Sequence, residues 1–167
     1  MLVQKAPSYK VEEFVAVAPV AVFGYVFAIN PNLPAKTMQD LVSVTMKDGK
    51  KYSVATPGVG TTQQFAAELM GQMAGFKVTH IPYRSTPQVL AGLLSKDIDY
   101  TMELIQTVVG QVRSGGLKAI AVTSPQRFPS LAEVPTFAES GLPGYDVTSW
   151  YGISLAAGTP QPIVDRL

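Results

Sequence analysis

The feature that most constrains the fold is a regular alternation of two sequence patterns through the middle of the chain. Short segments rich in Val, Ile, Ala and Tyr are typical of strands, and they occupy residues 52–55, 77–81, 98–102 and 117–122. The segments between them carry apolar residues at helical spacing. Alternation of this kind predicts βαβ units. We therefore expect an α/β fold with a mostly parallel sheet that is flanked by helices.

Longer strand-like segments lie on either side of this region. Residues 14–18 and 22–29 predict two strands that are split at Pro19, and residues 147–156 predict another long strand. Residues 160–167 open a helix. Two long strands that enter and leave one compact body are typical of a hinge, which predicts a connection to a second domain.

Composition and charge exclude several classes of protein. A hydrophobic content of 47% is too high for a disordered chain. The net charge is +1 and Lys50–Lys51 is the only adjacent basic pair, so the basic stripe of a nucleic-acid surface is absent. The absence of cysteine excludes disulfides and thiolate chemistry. The first residues do not have the pattern of a signal peptide, and Pro19 and Gly24 interrupt the most apolar run.

Signatures of catalysis and of metal binding are scarce. His80 is the single histidine, and no nucleophile elbow accompanies it, so we interpret it as a structural residue at a strand end. Asp97 and Asp99 are interpreted as solvated charges at the start of a strand. Histidine and acidic residues do not have the spacing of a metal site. The sequence therefore predicts no catalytic residue, metal or cofactor.

The strongest candidate for a binding site is a glycine turn in the sequence TPGVGTTQQF. Its residues lie between a predicted strand and a predicted helix, and they are Gly58, Val59, Gly60, Thr61 and Thr62. A helix start carries unpaired amide hydrogens and partial positive charge, and glycine lets a ligand approach the backbone. The turn is either a site for a carboxylate or phosphate, or a plain connection with a threonine cap. It lacks the lysine of a P-loop.

Other loops are expected beside the glycine turn, because the carboxyl ends of parallel strands meet at one edge of a sheet. Tyr83 is a candidate wall of the site, and Ser85, together with the threonine after it, is a candidate helix-start donor. Glu103 either selects an amine, a hydroxyl or a protonated carboxyl on a ligand, or is a charge favoured by a helix start. Arg84 either neutralises an anion or is an exposed tether. Trp150 either lines a cleft at a domain junction or is an ordinary core or surface aromatic.

Long segments of the chain, in order, resemble one family of proteins. The family is that of the periplasmic substrate-binding receptors of tripartite tricarboxylate transporters, also called the Bug or TctC-like family. The resemblance extends from about Phe14 to Leu167, and its most specific segment is LKAIAVTSPQRFPSLAEVPTFAESGLPGY. Further matching segments are VFAINPNLPAKTMQDLV, YSVATPGVGTTQQFAAELM and HIPYRSTPQVLAGLLSKDIDYTM.

The resemblance implies a clamshell of two lobes with the type II periplasmic-binding fold. Such receptors close on a small organic carboxylate and deliver it to a membrane permease. The resemblance assigns the ligand's carboxylate to backbone amides of the glycine turn, 58–62. Glu103 occupies a position where family members commonly have Asp. Tyr83, Arg84 and Ser85 replace the family's Tyr-Lys-Gly, which changes the donors of that turn.

The resemblance also divides the chain. Residues 1–29 are expected to be a remnant of the first domain with a hinge strand, 30–147 the second, αβ lobe, and 148–167 a return strand with the start of a first-domain helix. The parent would be periplasmic, and no signal peptide is expected in this chain. We expect weak carboxylate binding by one lobe alone, and self-association through truncated edges.

Two alternatives come from other classes of protein. One is the effector domain of a LysR-type regulator, which has the same general fold and requires an upstream DNA-binding domain. The other is a small hydrolase that uses His80 with Glu103 or Thr61.

Overall fold

The computed structural model describes residues 9–47 and 53–167. The α-helices are α1 (Met38–Lys47), α2 (Thr62–Ala74), α3 (Thr86–Ser95), α4 (Ile105–Arg113) and α5 (Gln161–Val164). The strands are β1 (Phe14–Ile29), β2 (Ser53–Thr56), β3 (Thr79–Pro82), β4 (Tyr100–Leu104), β5 (Lys118–Val122) and β6 (Thr148–Ala156). Short 3-10 turns occupy Val11–Glu13 and Pro129–Leu131. Strand and helix alternate from β2 to β5, as predicted; Tyr52 and the Lys50–Lys51 pair lie outside the described residues.

The main sheet has the strand order β3-β2-β4-β1-β5. Strand β2 is parallel to β3 and to β4. Strand β1 is antiparallel to both β4 and β5, so β5 runs in the same direction as the other three. The prediction of a mostly parallel sheet flanked by helices is confirmed, and β1 is the strand that departs from it.

Strand β1 is one continuous strand of 16 residues rather than two strands split at Pro19. The prediction of a break was wrong because Pro19 lies in the exposed half of the strand, outside the ladders with β4 and β5 that begin at Tyr25 and Val26. Proline lacks an amide hydrogen and is therefore excluded from central ladders, and Pro19 lies outside those with β4 and β5.

The two faces of the sheet bury separate clusters. Because side chains alternate along a strand, Phe27 faces one cluster and Val26 faces the other. The first cluster includes apolar residues of α1 and α2, among them Leu41 and Met70. The second includes Leu93 of α3 and residues of α4. Helices therefore cover both faces, which leaves the strand ends as the accessible edges of the sheet.

The chain divides into two compact units. Gly24–Thr148 form the αβ unit, and Phe23 with the described residues before it forms the other unit together with Ser149–Leu167. Within the latter unit, β6 pairs with β1. Residues 24–29 were expected outside the αβ lobe, yet they belong to the αβ unit because all of them lie in its sheet, where residues 25–29 are fully buried.

The buried face of α2 consists mostly of small residues. Ala66, Ala67, Met70 and Gly71 are buried, whereas Phe65 is 66% exposed. Small residues on the inner face let the helix approach the sheet closely. The size of an apolar residue in this helix therefore does not indicate whether it faces the sheet. None of the helices in the described ranges is long and apolar enough to cross a membrane.

Candidate ligand site at the carboxyl edge of the sheet

Three neighbouring parallel strands of the αβ unit end at the same edge of the sheet. Strands β2, β3 and β4 lead into α2, α3 and α4 respectively, through connections of different length. Each helix therefore presents its first turn at this edge, where unpaired amide hydrogens and the positive ends of the helix dipoles collect. A binding site at such an edge is what the sequence predicts.

The connection from β2 to α2 is the glycine loop, residues 58–62. Gly58 and Gly60 have φ angles of 143° and 79°, which lie in the region that favours glycine. Thr61 is the N-cap of α2, and its hydroxyl accepts from the amide of Gln64 at 3.3 Å and donates to the carbonyl of Gly58 at 3.0 Å. Val59 and Gly60 are exposed. The loop is thus both a capped helix start and an accessible stretch of backbone.

The amide of Gly60 already has a partner. It donates a hydrogen bond of 2.7 Å to Oε1 of Gln64, four residues later. The side chain of Gln64 therefore covers a donor that the sequence analysis assigned to a ligand. Because the partner is a neutral and exposed group, an arriving carboxylate can replace it with a charge-assisted hydrogen bond, which is roughly twice as strong.

The connection from β3 to α3 repeats this contact. The amide of Arg84 donates to Oε1 of Gln88 at 3.2 Å. Ser85 is the N-cap of α3, but its side chain makes no capping hydrogen bond. Arg84 is exposed and Ser85 is half-buried. Ser85 and the backbone beside it are accordingly placed at the same edge as the glycine loop.

Tyr83 occupies a different position from the expected one. Its side chain packs with the buried cluster beneath α3, and a Cβ atom placed on Gly92 would lie 2.8 Å from its hydroxyl oxygen. The ring thus lies against the helix, and only part of it is available as a wall for a ligand. A glycine at position 92 is what makes room for it.

Glu103 lies where the starts of three helices meet. Its side chain has no exposed surface. The hydroxyl of Thr86 in α3 lies 3.2 Å from Oε1 and 3.3 Å from Oε2, and the amide of Leu104 at the start of α4 donates to Oε2 at 3.3 Å. The carboxamide of Gln63 in α2 is a further hydrogen-bond donor to this carboxylate.

The environment of Glu103 raises its pKa above the usual value for a carboxyl, because burial disfavours the charged form. The hydrogen bonds from Thr86, Leu104 and Gln63 act in the opposite direction but do not cancel the effect of burial. Direct contact between Glu103 and a ligand was expected. The structure corrects this expectation to a supporting position, because the carboxylate is covered by protein groups.

Four contacts among the described residues share one pattern, in which a residue three positions after a Thr or Ser at the start of a helix or turn reaches back to the backbone. Two of them involve acids: Asp40 accepts from the amides of Lys36 and Thr37, and Glu139 accepts from the amide of Thr136. Hydrogen bonds lower the pKa of both carboxyls. The other two, at the carboxyl edge of the parallel strands, involve the neutral residues Gln64 and Gln88.

His80 lies in β3 and takes no part in this edge. Its Nε2 atom lies 2.8 Å from Oε1 of Glu68 in α2, although neither ring nitrogen makes a well-aligned hydrogen bond within the described chain. The described residues contain no cluster of His, Asp and Glu that could hold a metal ion. Asp99 is not simply solvated, because it accepts hydrogen bonds from the amide and hydroxyl of Ser53.

Trp150 belongs to the unit formed with β6 and is 70% exposed. Its role in lining a cleft stays a prediction. Sequence reasoning missed Gln63, Gln64 and Gln88, although the spacing of a threonine or serine followed three residues later by glutamine is a known capping signal that was present at both loops.

A family model described as "Tripartite tricarboxylate transporter family receptor" matches residues 2–167, nearly the whole chain. The chain belongs to this receptor family. Among curated relatives of the receptor, a UPF0065 protein from the tcbD-tcbE intergenic region of Pseudomonas sp. (strain P51) is 29% identical over 164 residues. The alignment covers 98% of this chain and 49% of the relative.

Solved structures of similar receptors support the same assignment. An R. palustris protein, Rpa4515, with adipate has a TM-score of 0.83 and 27% identity, over 92% of this chain and 52% of that one. MatC from Rhodopseudomonas palustris with bound malate has a TM-score of 0.81 and 28% identity, over 94% of this chain and 54% of MatC. The periplasmic binding protein BugD has a TM-score of 0.81 and 30% identity, over 92% and 51%. The chain spans about half the length of the proteins it matches.

Proposed function

We propose that this chain supplies one lobe of a solute-binding receptor, and that the lobe holds part of a site for a small organic carboxylate. The observation that carries the proposal is the arrangement at the carboxyl edge of β2, β3 and β4. There the backbone of the glycine loop and that of residues 84–86 stand at the starts of two helices, with Val59, Gly60 and Arg84 exposed. Membership of the receptor family and the likeness to structures with adipate and malate support it.

Electrostatics favours an anion over a neutral ligand at this edge. The helix dipoles of α2 and α3 place partial positive charge at Thr62 and Thr86. The caps at both starts are neutral, and the acid beside them, Glu103, is buried behind Thr86. Arg84 adds an exposed cation at the start of α3. A carboxylate that approaches the glycine loop therefore meets donors and positive charge.

We assign the ligand contacts to Gly58, Val59, Gly60, Thr61 and Thr62, with Ser85 at the second helix start. Glu103 supports these contacts from behind, and Tyr83 is assigned as a flanking residue. Dicarboxylates of the size of malate or adipate are the proposed ligand class, because proteins with the same fold and 27–28% identity are solved with them.

One lobe alone is expected to bind weakly. A clamshell strengthens charge interactions by excluding water from both sides of the ligand, whereas an open site leaves the anion in a high-dielectric, salt-screened environment. The proposal includes delivery of the ligand to a membrane permease of the tripartite type, a periplasmic location for the whole receptor, and binding without catalysis. It draws on the family of periplasmic receptors for these points.

The proposal is tested by titration of the chain with adipate and malate at low salt, followed by NMR because this method measures millimolar affinities. The neutral diamide of each acid serves as the matched control. We expect a dissociation constant of about 1 mM or weaker for the acids, which corresponds to roughly 4 kcal/mol, and less binding of the diamides. The proposal would be contradicted if the acid and its diamide bound with equal affinity. It would also be contradicted if neither acid caused any chemical-shift change at the highest concentration that its solubility allows.

We further propose that the unit formed by residues 9–23 and Ser149–Leu167 mediates self-association. The two segments of this unit carry many exposed apolar residues. Among them are Val20, Val22, Trp150, Tyr151 and Ile163. Large exposed apolar surfaces are typical of interaction sites. Light scattering at rising protein concentration is expected to show an increase in mass that Trp150→Lys reduces. A constant monomer mass would contradict this part of the proposal.

A further inference from the structure

The carboxylate of Glu103 connects three helices that are separate in sequence. Its partners are the side chain of Gln63 in the first turn of α2, the hydroxyl of Thr86 in the first turn of α3, and the amide of Leu104 at the start of α4. No other side chain in the described ranges is shown with hydrogen bonds to the first turns of three helices. All three partners are neutral, so none of them supplies a positive charge to the buried carboxyl of Glu103.

We propose that Glu103 is a positioning residue that fixes the start of α2 relative to the start of α3, and so sets the spacing of the two sets of amides offered to a ligand. The proposal deepens the function proposed above and rests on it for the ligand. It differs from a direct role in binding, because the carboxylate has no exposed surface and acts through Thr86 and Gln63.

The physical reason lies in the cost of an unsatisfied buried charge. A buried carboxylate that loses a donor is penalised by its desolvation, so its donors are held in place more firmly than donors to a neutral group. Thr86 contacts both oxygens of Glu103, at 3.2 Å and 3.3 Å. Rotation or withdrawal of either helix start would break these contacts. The three first turns are therefore expected to move as one body.

Removal of the Thr86 hydroxyl tests this coupling, because its effect is read on a different helix. Thr86→Val removes the contact between α3 and Glu103. In hydrogen exchange, we expect the amides of Gln64 and Phe65 in α2, which donate to Thr61, to exchange about threefold faster or more. The amides of Asp40 and Leu41 in α1 have the same pattern of bonds to Thr37 and serve as an internal reference.

Thr101→Val is the matched control variant. Thr101 lies in β4, is fully buried, and donates its hydroxyl to the carbonyl of Ala55 at 3.1 Å, without contact to a helix start. Like Thr86→Val, the Thr101→Val substitution removes one threonine hydroxyl from the αβ unit. It therefore reports the effect of lost stability without a change at a helix start. Thr86→Ser, which keeps the hydroxyl, is expected to retain the exchange rates of the wild type. If Thr86→Val does not fold, Glu103→Gln replaces it. A neutral amide is a weaker acceptor, so faster exchange in α2 is expected there also.

The ligand provides the second arm of the experiment. We expect Thr86→Val to weaken adipate binding about fivefold while Thr101→Val leaves it unchanged, since only the former disturbs the spacing of the donors. Unchanged exchange in α2 on loss of the Thr86 hydroxyl, or the same change in Thr101→Val, would overturn the positioning role. Equal affinity of the wild type and Thr86→Val would overturn its link to binding. Failure of the wild type to bind adipate would instead overturn the proposed function, and the exchange arm would still decide the coupling.

Discussion

The amide of Gly60 donates a 2.7 Å hydrogen bond to the side-chain oxygen of Gln64, and this neutral contact closes the start of α2. Asp40 and Glu139 make the corresponding contacts elsewhere in the αβ unit with a charged group. A negative charge at position 64 would satisfy the helix dipole from within the chain. Because glutamine is neutral, it leaves the positive end of the helix dipole available to a ligand. Its lack of charge is therefore as relevant to binding as its hydrogen bond.

Gln64→Glu is therefore expected to stabilise the fold and to weaken carboxylate binding. A carboxylate at a helix start contributes about 0.3–1 kcal/mol to the free energy of unfolding. Two like charges about 5 Å apart in water repel by roughly 0.8 kcal/mol, which corresponds to about a fourfold loss of affinity. Urea unfolding and NMR titration with adipate measure the two effects. Gln72→Glu, in the last turn of the same helix, is the control; it should lower stability slightly and leave affinity unchanged.

The pKa of Glu103 predicts a pH dependence of stability. Because burial raises its pKa in the folded state above the ordinary value of 4.5, the folded protein binds this proton more tightly than the unfolded chain does. The contribution of Glu103 is fully favourable below its unfolded pKa and is lost as the pH rises through its folded pKa. Asp40 and Glu139, whose pKa values are lowered, contribute stability that is lost as the pH falls.

Glu103→Gln separates these effects, because Asp40 and Glu139 are the same in both proteins. The stability of the variant relative to the wild type is expected to increase as the pH is raised from below about 4.5 to neutrality. Urea unfolding at a series of pH values gives this difference directly. A difference that is constant with pH, or that decreases toward neutrality, would show that the folded pKa of Glu103 is not raised.

The placement of Tyr83 predicts opposite effects for two glycine substitutions in helices. A Cβ at Gly92 in α3 would lie 2.8 Å from the hydroxyl of Tyr83, whereas a Cβ at Gly110 in α4 meets no atom within 4 Å. Gly92→Ala is expected to destabilise the fold by about 1 kcal/mol. Gly110→Ala is expected to stabilise it by about 0.5–1 kcal/mol, because alanine is the better helix former. The double substitution Gly92→Ala with Tyr83→Phe should recover part of the loss; a stabilising Gly92→Ala would refute this position of the ring.

Tyr145 makes a buried contact that ties the segment before β6 to α2. Its hydroxyl donates to the carbonyl of Ala66 at 2.8 Å, and burial raises its pKa. Tyr145→Phe is expected to lower the free energy of unfolding by about 0.5–1.5 kcal/mol, the net value of one hydrogen bond. Tyr151→Phe, at a residue that is 64% exposed, should change stability by less than about 0.5 kcal/mol. Equal effects of the two substitutions in thermal unfolding would contradict this account.

The alternation of strands and helices from β2 to β5 was predictable because each element is encoded locally. Gly75, for example, ends α2 in the left-handed conformation, which glycine adopts readily. The antiparallel insertion of β1 between β4 and β5 was not predictable, since it depends on pairings between residues 71 to 96 positions apart. Local patterns hold no information about such partners.

The candidate site was predictable only in part, because some of its features are encoded locally and others depend on contacts between distant residues. The glycine loop and the residues after β3 were visible as turns before helices, and the structure places them at one edge. The burial of Glu103 was not predictable, because it results from Gln63, Thr86 and Leu104 meeting in three dimensions. Likewise, local sequence does not show that alanines and Gly71, rather than Phe65, form the inner face of α2.

The most direct test of the carboxylate site is a map of the amides that respond to adipate in an NMR titration of the whole chain. The account predicts that the largest chemical-shift changes occur at residues 58–62 and 84–86, and that they saturate together. The αβ unit also has an open cleft of about 400 Å³ that is lined by Met38, Val42, Met73 and Leu142 among others. Saturable changes confined to that cleft, with residues 58–62 and 84–86 unaffected, would contradict the central claim.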